Sequence, residues 1–251
     1  VEAYSSSFNI ITSEIEHPAV LNTCKNLEHK GFRVTYLNVD ENGFIDINQL
    51  KRNICNDTIL ISIMMANNEL GTIQNIQEIG KIAHRNNIVF HTDAVQAVGN
   101  IKIDVQSMNV DMLSMSAHKF YGPKGVGALY VRKGINFERI QDGGHQEKNK
   151  RSGTENVAGI VGFGKACEIS SKSLHEDTVW VSTLKQRFFM ALNEALKDTG
   201  DESCVHVNGM SILTPGKTIN LRMDGVDGET LLLMLDGKGV CVSAGSAWRG
   251  H

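Results

Sequence analysis

Two short apolar runs near the middle of the chain constrain its fold more than any other feature. Residues 88–91 and 111–115 each have the length of a buried strand, and each is followed by a cluster of polar side chains. In open α/β sheets, ligands bind beyond the carboxyl ends of the strands. We therefore expect the polar groups after both runs to face one crevice.

The polar residues after the two runs have the types that pyridoxal 5'-phosphate (PLP) chemistry requires. Asp93 and Gln96 follow the first run, and Ser116, His118 and Lys119 follow the second. A lysine amine forms a Schiff base with the PLP aldehyde, and an aspartate beside the pyridine nitrogen keeps that nitrogen protonated. Lys119 and Asp93 suit these roles. The alternative for an isolated pair is that Asp93 caps a helix and Lys119 is a solvated lysine.

Strand and helix patterns alternate along the first half of the chain. We expect strands at residues 8–13, 32–39, 58–66, 88–91, 111–115 and 127–132. We expect one helix that Glu16, His17 and Pro18 open, a second that Asp46 caps with Gln49 completing a capping box, and a third over residues 75–86. This alternation predicts an α/β fold, with a mostly parallel sheet wrapped by helices.

The second half predicts a different organisation. Residues 141–156 are polar and aperiodic, which is typical of a functional or disordered loop. Helices are expected at about 160–170 and 175–198, followed by a strand at 217–223, a helix at 231–235 and a strand at 240–242. The expected buried face of the second helix consists of Val181, Leu184, Phe188, Ala191 and Ala195. We predict a large domain over residues 1–160 and a smaller one over 161–251, in which Cys241 is a buried structural thiol.

Composition excludes several classes of function. The chain has 251 residues, 41% of them hydrophobic, and a formal net charge of −3, which argues against a nucleic-acid partner. No apolar run reaches the ~18 residues of a membrane helix, and no signal-peptide pattern opens the chain, so no membrane association is expected. Five irregularly spaced cysteines suggest reduced thiols in the cytoplasm. Nine histidines and five cysteines include no pair at zinc spacing, so we expect no metal.

Several ordered motifs resemble those of one enzyme family. TDAVQAVG at 92–99 and SAHKFYGPKGVGALYVR at 116–132 resemble the cofactor core of the cysteine desulfurases, which belong to the class V aminotransferase-like, fold-type I PLP enzymes. Further motifs match in the family's order: EHPAVLNT at 16–23, MANNELGTIQNI at 65–76, RSGTEN at 151–156 and SAGSA at 243–247. The resemblance implies the aspartate aminotransferase-like large domain and an incomplete smaller α+β domain. It also implies that both chain ends are truncated, because family members carry an earlier Gly-Thr phosphate loop and a later substrate-binding arginine.

The resemblance implies a role for each matching residue of the cofactor core. Asp93 would pair with the pyridine nitrogen, and Gln96 would bond the ring hydroxyl oxygen. Ser116 and His118 would hold the phosphate, and Lys119 would be the Schiff-base lysine.

Three residues outside that core acquire roles in the same way. His17 would stack on the PLP ring and move protons, and a strand-to-helix junction with a near-neutral imidazole suits that role. Asn68 would reach the ring oxygen and the substrate carboxylate, with Asn67 as a near-equal alternative. Thr154 would reach the phosphate of a neighbouring subunit's PLP, which implies a homodimer with shared sites.

The implied activity is removal of sulfur from L-cysteine, which leaves alanine and a persulfide for delivery to an acceptor protein in iron-sulfur cluster or thio-cofactor assembly. In the family, a cysteine follows the SAGSA-type motif and accepts the sulfur, whereas this chain has Trp248 there. An indole cannot be a sulfur nucleophile. The alternatives are therefore a related PLP lyase or transaminase that needs no cysteine, or a non-catalytic homologue that retains the fold.

Overall fold

The computed structural model describes residues 8–209 and 217–244. Its centre is a six-stranded sheet. The strands are β1 (Asn9–Ser13), β2 (Arg33–Leu37), β3 (Thr58–Ser62), β4 (Val89–Asp93), β5 (Met112–Ser116) and β6 (Gly127–Val131). They lie in the order β2-β1-β3-β4-β5-β6, and every neighbouring pair is parallel except β5 and β6. The predicted α/β fold with a mostly parallel sheet is confirmed.

Three helices connect the parallel strands. They are α1 (Pro18–His29), α2 (Ile47–Asn53) and α3 (Ile76–Arg85). Asp46 caps α2 as expected, because its side chain accepts a hydrogen bond from the Asn48 amide. The predicted capping box is wrong, however, since Gln49 Oε1 accepts from the backbone of Asn38 instead. Gln49 thereby ties α2 to the end of β2.

The main core lies where α2 and α3 pack against the sheet. Its fully enclosed members include Leu50 of α2, Ile79 of α3, Ile61 of β3, Phe90 of β4 and Leu113 of β5. β3 ends at Ser62, earlier than the predicted residue 66, and the following apolar residues remain buried in a loop. Burial of this apolar surface is the main driving force for assembly of the sheet.

After β6, a short turn α4 (Gln146–Asn149) interrupts the predicted loop, and a single 43-residue helix α5 (Val157–Thr199) follows. Two helices were expected, but no glycine or proline occurs between residues 165 and 199 to end the first. Within this polar stretch of the helix, the Thr178 hydroxyl donates to the Leu174 carbonyl. The predicted domain boundary at residues 160 and 161 falls near the start of α5, and the division stays a prediction.

The predicted buried face of α5 is wrong: the buried residues lie one position further along the helix than the predicted ones. Lys185 and Phe189 are buried, whereas Leu184 and Phe188 are each 42% exposed. Apolar residues line more than one face of this helix, and periodicity does not decide which face packs against the protein.

The described C-terminal part contains a two-stranded antiparallel sheet and one helix: β7 (Val205–Val207), β8 (Leu221–Met223) and α6 (Gly228–Asp236). The predicted strand at 240–242 is wrong, because no strand of the described residues pairs with this segment. Cys241 is consequently exposed rather than buried. Within residues 8–209 and 217–244, no helix has both the length and the apolar character that crossing a bilayer requires.

A buried carboxylate joins the helical layer to the sheet. Asp111, which is 4% exposed, accepts from His84 Nε2 of α3 and Arg132 Nε, each at 3.1 Å. Its second oxygen accepts from the Phe90 amide of β4 at 2.9 Å. The Asp111 side chain thus satisfies donors from three parts of the fold.

We expect Asp111→Ala to lower the free energy of unfolding by about 3 kcal/mol, because it leaves a guanidinium and a buried amide without their acceptor. Urea denaturation measures this change. Asp57→Ala, which removes the exposed ion pair with Arg33, is the control and should cost much less. Equal losses in the two variants would contradict a special role for the Asp111 cluster.

Candidate active site

Four adjacent parallel strands, β1, β3, β4 and β5, end on the same side of the sheet. We call the segments that follow them, residues 14–17, 63–68, 94–99 and 117–122, the carboxyl edge. Backbone bonds hold these segments together: the Met65 amide donates to the Asp93 carbonyl at 2.8 Å, and the Ala94 amide donates to the Ser114 carbonyl at 2.9 Å. The strand ends and the carboxyl edge carry seven of the eight predicted site residues.

Asp93 is the last residue of β4 and is only 9% exposed. Its Oδ1 accepts from the Val95 amide at 2.9 Å. Its Oδ2 accepts no hydrogen bond from the residues that the structure describes. A nearly buried carboxylate with one oxygen available suits an N–H donor supplied by a bound molecule.

Lys119 lies on a 3₁₀ helix, Ala117–Phe120, that continues directly from β5. Ala117 and Phe120 are buried, and the Phe120 ring packs 5.6 Å from that of Phe163 in α5. Gly99, with φ of +77°, allows this packing, because a Cβ there would lie 2.5 Å from Phe120 Cβ. Lys119 is therefore on a firmly held backbone, while its exposed amine pairs with no carboxylate of the described chain.

Ser116 and His118 are adjacent in space. The Ser116 hydroxyl lies 2.8 Å from His118 Nδ1, and His118 is exposed. One of the two donates to the other, and the pair can still donate to an oxyanion from the hydroxyl or from Nε2. The side-chain amide of Gln96 is partly buried and bonds to no described residue, so it is available to a ligand.

His17 is the N-cap of α1. Its Nδ1 accepts from the Ala19 amide at 3.1 Å, so the neutral ring carries its proton on Nε2. The ring is exposed. The local fold thus commits Nδ1 to a hydrogen bond and leaves Nε2 available to a ligand.

The two asparagines after β3 differ in their contacts. Asn67 is buried: its Nδ2 donates to the Ile15 carbonyl, and its Oδ1 accepts from the amides of Glu69 and Leu70. The Asn67 amide is therefore used within the protein. Asn68 is partly exposed, and its side chain forms no hydrogen bond with described residues, which favours Asn68 over Asn67 as a ligand contact.

Thr154 lies apart from these residues in the exposed stretch before α5, and it shares no hydrogen bond with any of them. Trp248 lies outside the described residues, as do positions 245–247 of the predicted SAGSA motif. In the described ranges, no three His, Cys, Asp or Glu side chains group closely enough to hold a metal ion.

Two titratable residues near the site, His91 and Glu16, gave no sequence signal strong enough for prediction. His91 lies on β4 between Ser62 Oγ of β3 (2.8 Å) and Ser114 Oγ of β5 (2.9 Å), and burial lowers the pKa of its ring to about 4. Glu16 is buried beside β1. The only hint in the sequence was a polar residue within an apolar strand (His91) or three residues after one (Glu16).

The chain is similar in sequence to known enzymes. The chain is 49% identical over 242 residues to the cysteine desulfurase IscS of Clostridium botulinum (strain Hall), and 51% identical over 239 residues to that of Dictyoglomus turgidum. Each alignment covers 95% of this chain and 59% of the relative. The chain thus spans about three fifths of the length of these relatives.

Solved structures show the same likeness. The fold is similar to a NifS-like protein, with a TM-score of 0.86 and 40% identity over 94% of this chain and 63% of the other. It is also similar to SspA in complex with cysteine, with a TM-score of 0.64 and 49% identity over 65% of this chain and 48% of the other. The sequence pattern described as Aminotransferase class-V matches residues 3–249. The chain therefore belongs to the aminotransferase class-V family, whose members use pyridoxal 5'-phosphate.

Proposed function

We propose that this chain is a PLP-dependent cysteine desulfurase, which removes sulfur from L-cysteine to leave alanine and a persulfide. The observation that carries the proposal is the convergence of His17, Asn68, Asp93 and Lys119 on one edge of four parallel strands. The similarity to proteins named cysteine desulfurase and to SspA in complex with cysteine supports L-cysteine as the substrate.

The donor set of the carboxyl edge fits PLP. Asp93 Oδ2 is free to accept from the pyridine nitrogen, and Gln96 and Asn68 have free amides for ring or substrate oxygens. Ser116 and His118 can donate to the phosphate. When bound, PLP withdraws electrons from the amino-acid α-carbon through its protonated ring. Asp93 would hold that ring nitrogen in its protonated form.

Two bases of this chain would move the protons. The Lys119 amine, free of ion pairs in the described chain, would hold the cofactor and take a proton at Nζ. His17 would exchange a proton at Nε2, since the Ala19 amide occupies Nδ1. The Ala19 bond also keeps the His17 ring in one orientation.

We propose a homodimer in which Thr154 contacts the phosphate at the partner's site. Thr154 is exposed and bonds to none of the site residues of its own chain. The first turns of α5, directly after it, present Val157 and Val161, which are 67% and 66% exposed. Such an apolar surface beside the loop is suited to burial against a second copy of the chain.

Val161→Glu should abolish the dimer, because it places a charge on this apolar surface. Analytical ultracentrifugation of the variant and the parent measures the change.

The sulfur acceptor and setting are also proposals. We propose that the sulfur passes to an acceptor protein for iron-sulfur cluster or thio-cofactor assembly in the cytoplasm. Unpaired thiols at all five cysteines support a reducing setting. Trp248 favours one second candidate, a PLP lyase or transaminase that needs no sulfur-accepting thiol.

We expect the chain purified with PLP to show a visible absorbance band that L-cysteine shifts. Lys119→Ala should abolish the band of lysine-linked cofactor, because the covalent attachment is lost. Lys124→Ala, which replaces another exposed lysine four residues after the 3₁₀ helix, is the matched control and should retain the band. An unchanged band in Lys119→Ala would contradict the assignment of this lysine.

Replacement of Trp248 separates the desulfurase from the second candidate. With PLP and L-cysteine, Trp248→Cys should gain one additional sulfur atom on the new thiol, measured by peptide mass spectrometry. Trp248→Ser is the matched control. Both variants should also carry Cys241→Ser, because Cys241 is exposed and could acquire sulfur itself. A restored thiol that gains no sulfur would favour the lyase or transaminase.

A further inference from the structure

Glu16 is a buried carboxyl group that the proposed mechanism does not use. It is 3% exposed and follows β1 by three residues. Its Oε1 accepts from the Ser13 hydroxyl and from the Met64 amide, each at 2.7 Å. Its Oε2 is enclosed and has no hydrogen-bond partner among the described residues. An enclosed, unpartnered carboxylate oxygen is costly if it carries charge.

The surroundings of Glu16 disfavour that charge. No lysine or arginine of the described chain forms an ion pair with it, while Asp93 faces it from β4 and the buried Cys24 lies near it on α1. Burial, and to a smaller extent the charge of Asp93, raise the pKa of Glu16 to about 8, against the lowering effect of the Met64 and Ser13 bonds. Burial likewise raises the pKa of Cys24 to about 11. Near pH 7 the Glu16 carboxyl is therefore neutral.

The two bonds of Glu16 join segments that carry other site residues. Glu16 directly precedes His17, the N-cap of α1. Met64 lies four residues before Asn68, and the next amide, that of Met65, donates to the Asp93 carbonyl. One carboxyl group thus connects the segment after β1 to the segment after β3.

We propose that Glu16 is a positioning residue, a neutral carboxylic acid that holds His17 and Asn68 at the carboxyl edge and leaves Asp93 as the carboxylate that would accept from the pyridine nitrogen of PLP. The inference rests on the proposed function for the roles of His17, Asn68 and Asp93. The neutral state of Glu16 does not, because it belongs to the protein without cofactor.

The first test is the pH dependence of unfolding of the full chain without PLP, compared with Glu16→Gln. Glutamine keeps the acceptor oxygen for Ser13 and Met64 and places a donor where the acid carries its proton. The folded-state pKa of Glu16, about 8, lies above its ordinary value of 4.5. Between these values the folded state holds one proton more than the unfolded state, so stability falls as pH rises.

The unfolding constant of the parent should therefore rise relative to that of Glu16→Gln by up to about tenfold per pH unit between pH 5 and 8, and level off above. Titrations of groups that do not interact with Glu16 are common to both proteins and cancel in the ratio of the two unfolding constants. A constant ratio of the two unfolding constants across this range would contradict a neutral Glu16 carboxyl in the folded protein.

The second test measures PLP affinity at pH 7. Glu16→Ala should weaken it by about tenfold to a hundredfold, because two hydrogen bonds that place the loops are lost, whereas Glu16→Gln should retain it. Leu50→Ala, in the core on α2 and outside the carboxyl edge, is the control for lost stability and should bind PLP as the parent does. If Glu16→Ala and Leu50→Ala weaken PLP affinity equally, Glu16 contributes only to stability and the positioning role is wrong.

The two failures are distinguishable. A parent chain that binds no PLP would overturn the proposed function, and with it the positioning role, but the unfolding test would still decide the protonation of Glu16. If the parent binds PLP and the two variants Glu16→Gln and Glu16→Ala lower its affinity equally, only the positioning role of the neutral acid is overturned.

Discussion

The parallel pairing of β1, β3, β4 and β5 is the constraint on which the rest of the structure depends. Parallel strands bring their carboxyl ends to one side, so four segments distant in sequence meet there. The backbone bonds from Met65 to Asp93 and from Ala94 to Ser114 extend the sheet pairing into the following segments. These bonds tie the carboxyl edge to the sheet, which is what a site with fixed geometry requires.

Charge at this edge is restricted to where the proposed chemistry needs it. Asp93 is nearly buried, and an additional buried charge beside it would be unfavourable. His91 is held neutral by burial between two serine hydroxyls, and Glu16 by burial without a cation. Neutral polar groups thereby satisfy the backbone and hydroxyls around Asp93 without competing with it for a positively charged ring.

Packing of α5 determines the position of the lysine. Phe163 of α5 contacts Phe120, one residue after Lys119, and Gly99 allows the close approach of that ring. The same helix leaves Val157 and Val161 exposed beside Thr154, on which the proposed dimer depends. One helix therefore supports a site residue of its own chain and, in our proposal, presents another to the partner.

The sequence by itself determined the α/β class, most element positions and the set of candidate ligands, because hydrophobic periodicity and polar residues at strand ends are local signals. It left Asn67 as a near-equal alternative to Asn68, misplaced the buried face of α5 and predicted a buried Cys241. Each of these depends on contacts between distant segments. The Asn67 side chain donates to the Ile15 carbonyl, and residues 240–242 have no strand partner in the described chain. Only the tertiary structure revealed Glu16, because its buried state depends on the approach of β3 and β4, which periodicity does not encode.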